Sequence, residues 1–392
     1  MSTAGEGIRV VLATRIFAPE PAAASFRLAA LTRGLAAVGA RVRVLTTSPP
    51  ADMDAPADVP ARVERWPVLR DAEGYVRGYV QYLSFDVPLV LRLLRTPRPD
   101  VVVCEPPPTT GAVVRVVSAL RRVPYVYYAP DLWADAAESA GMSGFVVRAL
   151  RAVEGWAMHG AARVIAVSAP VGARLAELGV ERVEVVPNGV DTDVFTPDGP
   201  AVDAGGRPYL LYAGTASEWQ GADIFIRALP RVLAEVPDAR LVYLGQGSDW
   251  QGLRALADEL PRGSVEFHPR APADAAARWQ RGAAACLASI VPGRGYDLAF
   301  PTKIHASLAC GTPVLFAGVG AAVREIRQEG LGWAVDYDVD AVASAMLGAL
   351  RAPRSPDETV RLSRWVRDHR SAAATGRMAA TVVTAAAGTA TT

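Results

Sequence analysis

The sequence predicts an α/β chain of two doubly wound domains, each a mainly parallel sheet wrapped by helices. Three observations carry this. Short Val/Ile/Ala-rich runs alternate with helical patterns along most of the chain, those runs are continuously apolar, and the alternation breaks once, in a segment rich in Pro, Gly and Asp at 197–208. Continuous apolar runs belong to strands buried on both faces, the condition of a parallel sheet. A Pro/Gly-rich break between two such series marks a domain boundary.

The first series opens with a strand at 8–13, a Pro/Ala loop, a helical pattern at 23–38 stopped by Gly39, and a strand at 41–45. This βαβ order recurs through a strand at 100–104, helix 110–121, strand 124–128, helix 145–158, strand 163–167, helix 170–178 and strand 182–186. The second series places strands at 209–213, 239–244, 264–268, 283–287, 313–316 and 332–335. Helices fall at 223–236, 250–260, 273–281, 302–310, 321–329 and 341–350. Ligands of such sheets sit beyond the carboxyl ends of the strands, so a cleft between the two domains is expected.

With 51% hydrophobic residues, the 392-residue chain can bury large cores. The net charge of +1, with acidic and basic residues interspersed, provides no field for nucleic acid. Cys104, Cys286 and Cys310 lie far apart in apolar surroundings without a CxxC pair, so they read as reduced core residues rather than a disulfide frame or zinc site. No apolar run approaches the ~18–20 residues that span a bilayer, and the N-terminus lacks a signal-peptide pattern. A cytoplasmic chain is expected, peripheral to a membrane at most.

Lys303 is the one lysine among 41 basic residues. Pro301 suits the first helical position, Gly311 and Pro313 stop the helix, and Ile304 and Leu308 form its apolar face. Lys303 thus lies in a first turn, where the helix dipole disfavours a cation by roughly 0.3–1 kcal/mol. A bound anion reverses that sign, and an ammonium with free amides at a helix start suits phosphate. The competing reading is a solvated surface lysine.

Several strand-end segments carry a family pattern: Val186-Pro187-Asn188-Gly189-Val190-Asp191 with Phe195, Ala18-Pro19-Glu20-Pro21 with Arg27, Asp131-Leu132-Trp133, Gly245-Gln246-Gly247, and Pro301-Thr302-Lys303 with residues 308–314. With these the chain resembles the GT-B glycosyltransferases of family 4, which are retaining and metal-independent and use nucleotide-diphosphate sugars. Asp131-Leu132-Trp133, Gln220-Gly221 and Pro301-Thr302-Lys303 point to a branch similar to fucosamine and colanic-acid transferases. Two departures stand out. The family's E-x7-E pair falls at Leu298 and Ala306, neither of them acidic, and the loop 214–221 lacks the usual cations.

The resemblance implies two Rossmann-like domains facing a central cleft. It divides the chain into an acceptor-binding domain (1–187), a linker (188–207), a nucleotide-sugar-binding domain (208–352) and a C-terminal helix crossing to the first domain (353–370); the Ala/Thr-rich composition from Ser371 onward makes 371–392 a flexible tail. The donor would meet Gly214, Thr215, Gln220, Gly245, Gly247, Arg270, Arg294, Asp297, Thr302 and Lys303. Ser25, Arg27 and Asn188 would form the acceptor and interdomain loop, and Asp131 is the catalytic candidate.

Each of these has a plainer reading. The glycines suit tight turns, Asp131 and Asp297 suit turn caps, and Trp133 either stacks a sugar or joins the core. His305 either approaches a phosphate or packs within its helix. Asp191 and Asp193 imitate a metal-binding pair but follow an interdomain turn, so no metal site is expected. No cofactor is implied beyond the donor co-substrate. The acceptor is a polyprenyl-linked saccharide, which brings peripheral contact with the inner face of the membrane, or a small natural product. Two other functions fit the same residues: a pyridoxal-phosphate phosphorylase using Lys303 as Schiff base, and a sugar-nucleotide-binding partner with weak catalysis.

Overall fold

The computed structural model describes residues 7–20, 22–50, 59–71, 74, 76–139, 141–203, 205–294, 296–297, 300–352 and 354–388. The chain forms two compact units, Met1–Gly189 with Ala372–Thr392, and Val190–Ser371.

The first unit runs β1 (Arg9–Ala13), α1 (Ala23–Ala37), β2 (Arg41–Thr47), β3 (Arg62–Trp66), α2 (Tyr79–Arg95), β4 (Val101–Cys104) and α3 (Pro108–Arg121). It continues through β5 (Tyr125–Ala129), α4 (Trp133–Ser139), α5 (Gly144–His159), β6 (Arg163–Ala166), α6 (Ala169–Glu177) and β7 (Val183–Val185). The second unit runs β8 (Tyr209–Thr215), α7 (Asp223–Glu235), β9 (Arg240–Gln246), α8 (Trp250–Ala257), β10 (Val265–Pro269) and α9 (Ala273–Gly282). After these come β11 (Ala285–Ser289), α10 (Lys303–Ala309), β12 (Val314–Ala317), α11 (Ala321–Glu329), β13 (Gly332–Val335), α12 (Val339–Arg351) and α13 (Pro356–His369). The chain closes with α14 (Ala372–Gly388).

The two sheets have strand orders β3-β2-β1-β4-β5-β6-β7 and β10-β9-β8-β11-β12-β13, and every strand pair is parallel. The fold is therefore the expected pair of doubly wound, Rossmann-like α/β domains. Strands buried on both faces explain the unbroken Val/Ile/Leu runs: Val101, Val102 and Val103 are all buried, although they point alternately to opposite sides. On one side of the first sheet, Phe85, Leu89, Val114, Val117 and Met158 pack from α2, α3 and α5. On the other, Leu28, Leu31 and Leu35 of α1 pack with Ala379, Ala380 and Val383 of α14. All three cysteines are free and buried.

Three elements of the first unit have no counterpart in the sequence-based series. Arg62-Val63-Glu64-Arg65-Trp66 makes β3 at a sheet edge, where alternating charge hides a short strand. The helix α2 carries Pro88 in its interior and apolar residues around most of its circumference, so its continuity and its period are hard to read. Only seven residues long, α4 is shorter than a periodic pattern requires.

The C-terminal expectations are corrected. Residues 353–370 do not carry the chain back to the first unit: α13 lies in the second, where Leu362 and Val366 join Ile304 and Leu308 of α10 in one core. Residues 371–392 are not a flexible tail across 372–388. That segment is α14, packed along α1 in the first unit. Its Ala/Thr/Gly composition reads as low complexity, but small residues allow close backbone approach. A Cβ on Gly34 would lie 2.2 Å from the Gly376 carbonyl oxygen, and one on Gly376 would lie 2.3 Å from that of Ala30.

This contact reverses the usual rule for helical glycine. Helix propensity favours Gly34→Ala by about 1 kcal/mol. The added methyl, however, meets a backbone carbonyl that cannot rotate away, and such overpacking costs about 1–3 kcal/mol. Gly34→Ala is expected to lower the midpoint of urea unfolding; a raised midpoint would show that α1 and α14 do not pack this closely.

Candidate functional site

Each sheet reverses its strand direction of growth once, between β1 and β4 in the first unit and between β8 and β11 in the second. At such a point the crossover helices leave to opposite faces, and a crevice opens beyond the carboxyl ends of the strands.

In the first unit the loops there supply Arg15 after β1, Glu105 after β4 and Asp131 after β5. Arg27 of α1 donates from Nε (2.8 Å) and Nη2 (2.6 Å) to Glu105 Oε1, and from Nη1 to Asn188 Oδ1 (3.0 Å). Its guanidinium also lies over the Tyr128 ring at 5.1 Å. Both members of the ion pair are buried. Burial alone would lower the Arg27 pKa, but Glu105, Tyr128 and Asp131 together more than offset it. Burial lifts the Glu105 carboxyl, opposed by Arg27. We take the pair as ionised, because two N–H groups converge on one carboxylate oxygen.

Asp131 is exposed at the residue level. Desolvation by the surrounding protein nevertheless raises its pKa, opposed by the Arg27 charge, a hydrogen bond from the Trp133 side chain and the Arg15 charge. Its loop is fixed from behind. The buried Glu154 of α5 accepts from the amides of Trp133 (2.8 Å) and Ala134 (3.0 Å), capping α4. Burial pushes the Glu154 carboxyl up to about 7. Trp133 meets Tyr82 edge to face at 5.7 Å, and the Arg15 guanidinium lies 4.6 Å over Tyr82. Ser25 is buried, and among the described residues its hydroxyl has no hydrogen-bond partner.

The second unit builds its edge around Lys303, the first residue of α10, with Thr302 at the N-cap. The ammonium sits 3.6 Å from the centre of the Tyr212 ring and donates one hydrogen bond, to the Thr215 carbonyl (3.2 Å). Among the described residues it has no ion pair. The side chain is half-buried, and desolvation lowers its pKa to about 7. Gly214 lies beneath it: a Cβ there would come within 3.5 Å of Lys303 Cε. The solvated-lysine reading fails on this geometry.

The other donor candidates divide into lining residues and braces. Thr215 and Thr302 are exposed beside Lys303. Arg270, just beyond β10, and Arg294 are exposed loop cations. Gln220 is buried, and its Oε1 accepts from Ser217 N (3.0 Å), so it shapes the 214–221 loop. Asp297 accepts from Gly293 N (3.1 Å), the turn-forming role. Gly245 and Gly247 are required by strand contact. With φ of 153° and 156°, a Cβ on them would strike the carbonyls of Gly214 (2.1 Å) and Ala216 (1.8 Å).

His305 is packed rather than phosphate-facing: it is buried, stacked on Phe300 at 4.8 Å, with Nε2 3.1 Å from Glu325. Asp191 accepts from Asp193 N (3.0 Å), a local turn. Ala306 is buried in α10, and Leu298 lies outside the described residues.

Residues 23–189 match the family model described as Glycosyl transferase 4-like domain, and residues 207–352 match that described as Glycosyl transferases group 1. The chain belongs to the GT-B glycosyltransferase superfamily. It is 32% identical over 197 residues to the D-inositol 3-phosphate glycosyltransferase of Xylanimonas cellulosilytica, covering 46% of this chain and 45% of that one. It is 28% identical over 183 residues to the GDP-mannose-dependent alpha-(1-6)-phosphatidylinositol monomannoside mannosyltransferase of Mycolicibacterium smegmatis, covering 44% and 48%. The matches thus span about half the length of these curated relatives.

Two solved structures share the fold of this superfamily member across nearly its full length. Anabaena HepE in complex with UDP gives a TM-score of 0.72 at 13% identity, covering 96% of this chain and 100% of that one. Sucrose-phosphate synthase from Thermosynechococcus elongatus gives 0.67 at 20% identity, covering 97% of each.

Sequence reasoning reached Arg27, Asn188, Asp131 and Lys303 but missed the groups that hold them. Glu105 directly follows a four-residue apolar strand, a signal within reach. Glu154, Arg15 and Tyr212 carried none, because each acts across the fold.

Removing one partner of the buried pair strands the other. Arg27→Ala is expected to destabilise the protein by about 3–5 kcal/mol, and joint replacement of Arg27 and Glu105 by leucine to recover much of that loss. Chemical denaturation of the two variants tests both signs, and an Arg27→Ala protein as stable as wild type would contradict the assignment.

Proposed function

We propose that this protein is a retaining, metal-independent glycosyltransferase that moves a sugar from a nucleotide-diphosphate donor on the second unit to a hydroxyl acceptor on the first. The observation that carries the reading is Lys303: a half-buried ammonium with no counter-ion among the described residues, held over Tyr212 at the carboxyl edge of the second sheet. Such a group is stabilised by an arriving anion and is already oriented for it.

The reaction breaks the bond from the anomeric carbon to the phosphate oxygen, and the electron pair leaves with the nucleoside diphosphate. Lys303 stabilises that negative charge, while Thr215 and Thr302 line the same edge. The acceptor oxygen forms the new bond on the face the diphosphate leaves, and its proton passes to the departing phosphate. This course needs no enzyme nucleophile. Asp131, with a raised pKa beside Arg27 and Arg15, orients the acceptor or donor sugar by hydrogen bonds.

Loss of the E-x7-E pair shifts nucleotide recognition toward backbone groups of the 214–221 and 245–247 loops and to Arg270 and Arg294. The finer assignment, a branch similar to fucosamine and colanic-acid transferases, rests on Asp131-Leu132-Trp133, Gln220-Gly221 and Pro301-Thr302-Lys303, and a cytoplasmic site of action on the three free, buried cysteines. The acceptor is a polyprenyl-linked saccharide or a small natural product. A solved structure of the same fold in complex with UDP and a relative named as GDP-mannose-dependent leave the base to experiment. A thermal-shift series with UDP, GDP, TDP and ADP should show one nucleotide raising the melting temperature above the rest, since ligation stabilises by RT ln(1 + [L]/Kd). Release of that nucleoside diphosphate from its sugar donor then measures turnover, and binding without turnover on an acceptor panel would instead favour a donor-binding partner.

The lysine also fixes a pH dependence. Donor binding requires the ammonium, whose pKa in the free protein is about 7 and rises when the diphosphate neutralises it. Affinity for an intact nucleotide sugar is therefore expected to be flat below about pH 7 and to fall by up to tenfold per unit above it, until the pKa of the bound form is reached. Lys303→Ala should lose at least tenfold in affinity, ~1.4 kcal/mol, and abolish the slope. Calorimetric titration from pH 6 to 9 reads both; an unchanged affinity in the variant would remove Lys303 from the donor site.

A further inference from the structure

The outward face of α2 has an unusual composition for a helix in contact with water. Its exposed residues from Tyr79 through Leu94 are Tyr79, Val80, Leu83, Val87, Val90, Leu91 and Leu94, with no charged side chain among them. Leu83 is 53% exposed and Val87 65%. Steps of one, three and four residues place all seven on a strip roughly 120° wide, opposite the buried Phe85, Leu89 and Leu93. Scattered exposed apolar residues need no explanation, but a contiguous strip marks an interaction surface.

The apolar character continues across the helical layer. Beside α2 packs α3, and beside α3 packs α5. These helices expose Leu120 (71%), Phe145 (75%) and Trp156. The carboxylates of the three helices are Asp86 and Glu154, and both are buried in hydrogen bonds: Asp86 accepts from Thr109 and Thr110 (2.6 Å each), Glu154 from the α4 amides. The exposed charges on these helices and at their ends are cations, Arg95, Arg148 and Arg122, while Arg115 lies over the Trp156 ring at 4.4 Å. Three helices of a chain of net charge +1 thus present an apolar surface with no exposed carboxylate of their own and with guanidinium groups at its edges, while beyond α5 the acidic Asp135 and Glu138 of α4 are paired with Arg151.

We propose that this face docks on an anionic lipid surface, with the α2 strip lying in the plane of the membrane. The argument is charge complementarity combined with apolar insertion. Leu and Val side chains enter the acyl boundary, aromatic side chains such as Tyr79 and Trp156 suit the headgroup level, and the arginines pair with lipid phosphates. No helix among the described residues is long and apolar enough to cross a membrane, so the contact is peripheral. The surface is independent of the donor chemistry, and it would bring the first unit to acceptors carried on lipid.

Co-sedimentation of the full chain with phosphatidylcholine vesicles, with and without phosphatidylglycerol, tests the proposal without donor or acceptor. Binding is expected on the anionic vesicles and should weaken as salt is raised. Joint Leu83→Glu and Val87→Glu substitution should reduce partitioning by about tenfold or more while leaving the melting temperature near wild type, since both positions are exposed. Arg95→Glu with Arg122→Glu should weaken the anionic contribution while leaving the apolar one.

Equal partitioning of wild type and the Leu83/Val87 variant, or no binding to anionic vesicles, would overturn the proposal. So would a wild-type dimer in light scattering that the Leu83/Val87 variant converts to a monomer, because a second copy would then be the occupant. A chain that binds vesicles but transfers no sugar would defeat only the glycosyltransferase reading.

Discussion

Both halves of this protein depend on one constraint of parallel sheets. A crossover leaves the carboxyl edge of the sheet and returns across one face, with a fixed hand, to the amino edge, so when strand order reverses, the helices on either side of the reversal lie on opposite faces and leave backbone ends uncovered. That happens between β1 and β4 and again between β8 and β11. The residues with chemical potential collect there: Arg15, Glu105 and Asp131 on the first sheet, and the 214–221 loop and Lys303 on the second.

The two edges use charge in opposite ways. On the first, Arg27 is consumed by Glu105 and Asn188, so its strength goes into fixing the loop that ends in Asn188 and Gly189. A charge fully paired within the protein organises structure. On the second, Lys303 is held by a ring face and a carbonyl and has no counter-ion among the described residues, which leaves its charge available to a ligand. The same desolvation that depresses its pKa would strengthen its attraction for a phosphate.

The helices α14 and α2 show that composition alone misjudges exposure. An Ala/Thr/Gly run reads as a tail, yet lack of bulk is what lets α14 approach α1 to backbone contact at Gly34 and Gly376. The helix α2 is rich in apolar residues, yet only part of its circumference meets the sheet and the remainder faces outward. In both cases the deciding quantity is the partner surface, which lies far away in sequence.

The sequence by itself determined the fold class, the order of nearly all strands, the break between the domains and the placement of Lys303 at a helix start, because these follow from local period and punctuation. It also carried Arg27, Asn188 and Asp131 through motif and strand-end position. Tertiary structure alone decided which charges are paired. Arg27 and Glu105 are far apart in the chain, Lys303 meets Tyr212 across the sheet edge, and His305 is turned from a phosphate toward Glu325 by packing. It likewise decided that the last helix belongs to the first unit. Electrostatic pairing and helix docking depend on distances between remote segments, and no pattern of neighbours along the chain encodes those distances directly.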